Sequence, residues 1–174
     1  MDYFLTTERL GFRCWREEDL PLAMDLWLDP RVTVFTGGPF DADWVRARLT
    51  REMARMQANA MQYWPVFLLE DGRHVGCAGL QSYREDEGIL ELGYHLRPAF
   101  WGLGMAKEAA QAVVDYAFGV LGVGALFAGH DPRNAVSRRV LLSLGFVYAG
   151  EEIYPPTGMI EPTYRLRNPH NEAK

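Results

Sequence analysis

The stretch ILELGYHLRPAFWGLGMAKEAAQAVVDYAF, residues 89–118, holds three signals in a row. Leu90, Leu92, Tyr94 and Leu96 alternate with Glu91, Gly93 and His95, which is the period-two pattern of a strand. Gly93 inside it predicts a bulge or a close approach to the backbone. Gly102 and Gly104 follow, one residue apart. Ala106, Ala109, Ala110, Val113, Val114, Ala117 and Leu121 then fall on one face of a helix over 103–121, which Gly122 and Gly124 end. A helix leaves its first N–H groups unpaired and carries about +0.5 charge at that end, so anions bind there where the backbone is accessible. The two glycines clear that approach, and Arg97 and Lys107 add positive charge. The same glycines also fit a plain turn. A dinucleotide fingerprint would need a small residue where Lys107 stands, and a P-loop would need the Gly-Lys-Ser/Thr that GLGMAKE lacks.

Upstream, Leu10, Phe12 and Cys14 alternate in a strand over 9–15. EEDLPLAMDLWLDP (17–30) reads as a helix with acidic residues at its positive end, closed by Asp29-Pro30. Residues 32–40 read as a loop with a Gly-Gly-Pro break. Asp41 is placed to cap a helix over 42–60, where Val45, Leu49, Met53, Met56 and Ala60 share a face. Arg46, Arg48, Arg51 and Arg55 read as its solvated side. In 63–83, Asp71-Gly72 between two apolar runs signals a hairpin with a type I′ turn, and EDEG (85–88) signals a second turn. Three consecutive strands therefore form a meander. Downstream, ALFAGH (125–130) is a short apolar strand, and 134–145 is a helix capped by Asn134 and stopped by Gly145. FVYAG and EPTYRLR (161–167) form a hairpin across a Pro-Pro turn. The order predicts one α/β (α+β) domain over 1–168, a mixed sheet with helices on both faces, and a polar tail over 169–174.

The 174 residues are 48% apolar and 24% charged, with net charge −5. This balance excludes a general nucleic-acid binder, which needs a basic face, and favours neutral or cationic partners. Cys14 and Cys77 form no CxxC pair, so neither a metal site nor a disulfide framework is expected. Buried, reduced thiols in an intracellular chain are the simplest reading. No signal peptide or membrane span is readable, and a cytoplasmic location is expected. A homodimer is compatible with these features.

TERLGFRCWREEDL (7–20), ELGYHLRPAFWGLGMAKEAAQAVVDYAF (91–118) and RNAVSRRVLLSLGFVYAGE (133–151) together resemble the GNAT superfamily of acetyl-CoA-dependent N-acetyltransferases. More narrowly, they resemble its branch containing the ribosomal-protein N-terminal acetyltransferases RimJ and RimL. The resemblance spans nearly the whole chain, in the family's order. The family's loop pattern is Gln/Arg-x-x-Gly-x-Gly/Ala; here it is Trp101-x-x-Gly104-x-Ala106, with the tryptophan usual in this branch. The resemblance implies a mostly antiparallel GNAT-like sheet and a coenzyme A pyrophosphate held by the amides of Gly102, Leu103, Gly104, Met105 and Ala106, flanked by Trp101 and Lys107. It also implies that strand 89–96 splays from strand 125–130, with the pantetheine arm pairing to backbone at Tyr94, His95 and Leu96. The acceptor groove would be walled by Phe35, Thr36, Gly37, Gly38 and Pro39, with Tyr83 and Tyr154.

Acetyl transfer needs a neutral amine, a held thioester and a proton for the leaving thiolate. Deprotonating a lysine-like amine near pH 7 costs roughly 4–5 kcal/mol, and an α-amino group only about 1 kcal/mol. An enzyme for N-termini therefore needs only a weak base, and positioning supplies much of the rate. Glu91 is the candidate base, acting through water; a structural glutamate would look the same. By resemblance Asn134 contacts the cofactor and Ser137 lies near the thioester sulfur as the acid, although the pair also fits a helix cap and a small packing residue. Tyr148 is the rival acid, or else a buried sheet tyrosine. His95 and His130 are further candidates by residue type, because an unperturbed imidazole changes charge near neutrality, but neither has a readable partner. The expected activity is acetyl transfer to a primary amine, either a peptide N-terminus or a small amine. A non-catalytic acyl-CoA-binding module and another kind of phosphate binder are the alternatives.

Overall fold

In the computed structural model, which describes residues 2–169, the chain runs β1 (Leu5–Thr6), β2 (Leu10–Phe12), α1 (Leu20–Trp27), α2 (Pro30–Thr33), α3 (Ala42–Asn59), β3 (Tyr63–Leu68), β4 (His74–Arg84), β5 (Ile89–Leu96), α4 (Met105–Gly119), β6 (Ala125–Gly129), α5 (Ala135–Ser143), β7 (Val147–Tyr154) and β8 (Met159–Arg167). The predicted tail lies outside the described residues apart from Pro169. All eight strands join one sheet in the order β1-β2-β3-β4-β5-β6-β8-β7. Every pairing is antiparallel except β5 with β6. This is the mixed, mostly antiparallel α/β sheet expected, with helices on both faces.

Alternation along the strands divides the core. Trp64, Val66, Ala78, Leu80, Leu92, Leu126 and Ala128 face α4 and α5. Tyr63 and Cys77 face the other way, packing with Trp27 and Leu26 of α1 and Val45 and Leu49 of α3. Cys77 is fully buried and Cys14 half-buried, and both are free thiols. Among the described residues no helix is long and apolar enough to cross a membrane.

Several local expectations are corrected. The helix expected over 17–30 is a 3-10 turn at Glu17–Asp19, then α1, then α2. Asp29-Pro30 does stop α1, but the Asp29 carboxylate accepts from the Arg31 amide at 2.9 Å and so starts α2 inside the expected loop. Asp19 is buried against Arg13, with contacts of 2.6 and 2.7 Å. The arginine side of α3 is not wholly solvated. Arg48 turns inward, 2.6 Å from the fully buried Glu52 and stacked near the rings of Trp27 and Tyr63. The β3–β4 turn is not type I′, because Gly72 has a positive φ of 73° and Asp71 does not. Instead Leu68 donates to the Arg73 carbonyl across a longer loop. Of the two readings of Gly93, the bulge is absent, since it sits opposite Gly79 in register, and the close approach is present. Gly93 is small because the Tyr63 ring occupies the space a side chain would need. The strand expected over 89–96 runs as expected to Leu96, and Pro98–Phe100 then forms a 3-10 turn.

Candidate active site

The glycine loop joins β5 to α4. Gly102 and Gly104 both adopt left-handed backbone, with φ of 73° and 77°. A side chain at Gly102 would meet nothing within 4 Å, and one at Gly104 only Arg9 Nη2 at 3.7 Å. The glycines therefore serve a backbone shape that opens outward. The N–H groups of residues 102–107 make no hydrogen bond to another described residue, and the helix ladder begins with Glu108 N–H donating to the Gly104 carbonyl. Those amides, at the positive end of α4, form a cradle suited to an anion. Lys107 is exposed on its first turn.

Two side chains set the loop's position. Trp101 does not pack beneath it but stands half exposed, with Nε1 donating to the Leu96 carbonyl at 2.8 Å. That carbonyl is therefore already engaged. Arg9, which sequence reasoning missed, donates from Nη1 to the Leu103 carbonyl at 3.1 Å and from Nε to Glu108 at 2.7 Å. Thr7 also donates to Glu108, holding that carboxyl below its ordinary range despite partial burial. Arg97 does not reinforce the cradle, because its guanidinium reaches the His74 carbonyl and Asp25 instead.

Beside the loop the sheet splits. β5 and β6 pair only through Ile89–Glu91 and Ala125–Phe127, so the β6 side of Leu92–Leu96 is free of β6. On the α4/α5 face of this gap the Tyr94 hydroxyl donates to the Ser137 carbonyl at 3.4 Å. Burial pushes the Tyr94 phenol up to about 12. Asn134 caps α5 by accepting from the Ser137 amide at 3.1 Å, while the Ser137 hydroxyl bonds to no other described residue. The structure thus brings Tyr94, Asn134 and Ser137 together.

Glu91 and His95 point to the opposite face. Gln81 donates to Glu91 at 2.7 Å, while burial raises the Glu91 carboxyl. Trp27 Nε1 donates to His95 Nδ1 at 3.0 Å, and burial, with Arg48 nearby, lowers the His95 ring to about 3. His95 is therefore a neutral imidazole with its proton on Nε2. Tyr83 lies flat on Phe127 and donates to Glu152 at 2.5 Å. Of the expected acceptor wall, Phe35 lies under the Arg133 guanidinium, and Gly37 approaches the Pro156 carbonyl, bringing this loop against the β7–β8 turn. Gly38 packs on Thr33. His130 is buried, with Nδ1 2.8 Å from the Asp131 carbonyl.

Tyr148 is a correction. It is not a buried sheet residue but 60% exposed on the edge strand β7. Two strand spacings, about 10 Å, separate β7 from β6 and the gap. Glu161 of β8, by contrast, is buried on the same face as Glu91 and was not singled out in the sequence. The alternation of EPTYRLR assigns it a face, but only the insertion of β8 beside β6 brings it to the gap.

Known proteins share the chain's family and fold. A model described as an acetyltransferase (GNAT) domain matches residues 9–147. An uncharacterized N-acetyltransferase p20 of Bacillus licheniformis is 31% identical over 149 residues, 84% of this chain and 83% of that one. A GNAT-family acetyltransferase from Bacillus anthracis superposes with a TM-score of 0.82 at 24% identity, covering 94% of this chain and 98% of that one. RimL, a ribosomal L7/L12 alpha-N-protein acetyltransferase solved in complex with coenzyme A, shares the fold with a TM-score of 0.81 at 15% identity, over 95% and 98% of the chains. With a cradle of free amides beside a split sheet and a family model over most of its length, this chain belongs to the GNAT family of N-acetyltransferases.

Proposed function

We propose that the chain transfers the acetyl group of acetyl-CoA to a primary amine by direct attack in a ternary complex. The observation that carries this reading is the run of unengaged amides at 102–107 beside the β5–β6 gap. Those amides fit a pyrophosphate, and the exposed β5 backbone beyond Glu91 fits the amide groups of a pantetheine arm. Bound there, acetyl-CoA supplies an activated thioester.

The chain's own residues divide the remaining work. Ser137, with its hydroxyl unengaged, delivers a proton toward the leaving sulfur, and Asn134 holds the turn that presents it. Glu91 faces the acceptor side and holds the amine directly or through water. Tyr63, His95 and Trp27 contribute uncharged groups to that side. The acceptor enters between the Phe35–Gly38 loop and the β7–β8 turn. RimL acts on the α-amino group of a ribosomal protein, and an α-amino group needs about 3 kcal/mol less deprotonation work than lysine. Peptide N-termini therefore stand first, with small amines second. Calorimetric titration with acetyl-CoA, using ATP and NAD as controls, tests the cradle; selective binding followed by acetylation of an N-terminal peptide is the expected result. Equal preference for ATP, or binding without turnover on any amine, would refute the proposal.

A further inference from the structure

Among the described residues four acids are buried, and three of them are answered by arginine. Asp19 meets Arg13, Glu52 meets Arg48, and Asp131 meets Arg133, each at 2.6 Å. The fourth, Glu161, is 7% exposed, and its carboxylate forms no hydrogen bond or ion pair with another described residue. Leaving a buried carboxylate unpartnered is costly, and such groups cluster at functional sites.

Its position says what the arrangement serves. Thr163 of β8 sits opposite Gly129, the last residue of β6. Two residues along, Glu161 projects on the same face, and its Oε2 lies 3.5 Å from where a Gly129 side chain would begin. Gly129 does not have a positive φ, so the backbone does not demand glycine there. What glycine provides is an open path from Glu161 to the lip of the gap. Glu91 lies in register with Phe127, two residues before Gly129, and so projects on this face as well. Two carboxylates thus flank the acceptor side of the gap, and Glu91 is already held by Gln81.

We propose that Glu161 is the catalytic base, receiving the acceptor's ammonium at the end of β6 and taking its proton. The assignment rests on the acetyl-transfer reading above. The ammonium loses two protons: one passes to Glu161 and then to solvent, and the other ends on the sulfur. The C–N bond of the amide forms as the thioester C–S bond breaks, and the thiolate leaves as a thiol. Burial, with Asp131 and Glu91 adding repulsion, raises the Glu161 carboxyl to about 7, close to an α-amino group. The ionisable groups facing it are Glu91 of β5, Asp131 with Arg133 beyond β6, and Tyr154 and Glu152 of β7. Glu152 is engaged by Tyr83 and Arg84.

The test compares wild type, Glu161→Gln and Glu161→Asp on an N-terminal peptide across pH 5.5–9, with acetyl-CoA affinity measured by calorimetry. Glu161→Gln should lower kcat/KM about 100-fold, lose the acid limb centred near pH 7, and bind acetyl-CoA within about twofold of wild type. Glu161→Asp should restore the limb at a reduced rate. Glu161→Gln with kcat/KM within about threefold of wild type and its acid limb intact would overturn the assignment alone. So would an activity loss matched by an equal loss of acetyl-CoA affinity. Wild type that binds acetyl-CoA but acetylates no amine would overturn the underlying reading, and this assignment with it. The glutamine is isosteric, and near-ultraviolet circular dichroism verifies its fold.

Discussion

At Gly104 a single φ of 77° carries two requirements at once. A β-branched residue there is strained by roughly 1–2 kcal/mol or more, and it also fills the approach to the amides. Because the surrounding space is open, Gly104→Val should remain folded by circular dichroism and lose measurable acetyl-CoA binding by calorimetry. Ser137 belongs to the same scale. Its hydroxyl has no partner among the described residues, so Ser137→Ala should reduce kcat about tenfold or more while acetyl-CoA affinity stays within about twofold; full activity would assign thiolate protonation to solvent. Glu161 also makes a stability prediction. Its folded carboxyl titrates near 7, above the unfolded value near 4.5, so its protonated form suits the fold. That contribution is complete below about pH 4.5 and is lost as pH rises through 7, an effect of at most about 3 kcal/mol. Glu161→Gln should therefore raise Tm at pH 8 and leave it unchanged at pH 4.5, by differential scanning calorimetry. The histidines act in the opposite sense. His74 and His95 titrate near 4 and 3 in the fold, and their stabilisation is lost as pH falls below 6.5.

Among the elements, the connection from β5 to α4 is held at both ends by side chains from elsewhere. Trp101 ties it to the end of β5, and Arg9 of the β1–β2 turn ties Leu103 and Glu108 to the first strands. The Arg9–Glu108 pair is partly exposed, so its own contribution to stability is small. Its effect lies in holding the amides in one geometry before anything binds. Arg9→Ala should therefore weaken acetyl-CoA binding about tenfold while Tm shifts by only a few degrees, read by calorimetry and thermal melts. Much of this element was legible locally. The Gly-x-Gly spacing, the apolar helical face and the Asp41 and Asn134 caps depend on neighbours within a few residues, and they appear where expected. The turn at Asp71-Gly72 and the split of 17–30 went otherwise because loop length and a proline cap left equally good local solutions.

At the scale of the whole molecule, the β5–β6 pair is the one parallel pairing among the described residues, and it extends over three residues on each strand. The gap beyond it joins the two faces that carry Ser137 and Glu91, which strand alternation would otherwise hold apart. Added acetyl-CoA should slow hydrogen exchange at the amides of Leu92–Leu96 and of residues 102–107, and leave β3 and the first half of β4 unchanged. Uniform protection across the sheet would argue for general stabilisation instead.

The sequence by itself determined the order of elements from α3 onward, the cradle at α4 and the cap on α5, because each follows from periodicity, backbone freedom or an unpaired helix end, whereas β1 and α2 had no such local signal. Only the tertiary structure decided which side chains meet. Placing β8 between β6 and β7 brings Glu161 beside Gly129 and leaves Tyr148 on an exposed edge. Packing α3 onto the sheet turns Arg48 and Glu52 inward. These outcomes depend on strand order and on contacts between residues far apart in the chain. Burial and charge pairing, which decide how such groups behave, arise only once those contacts form.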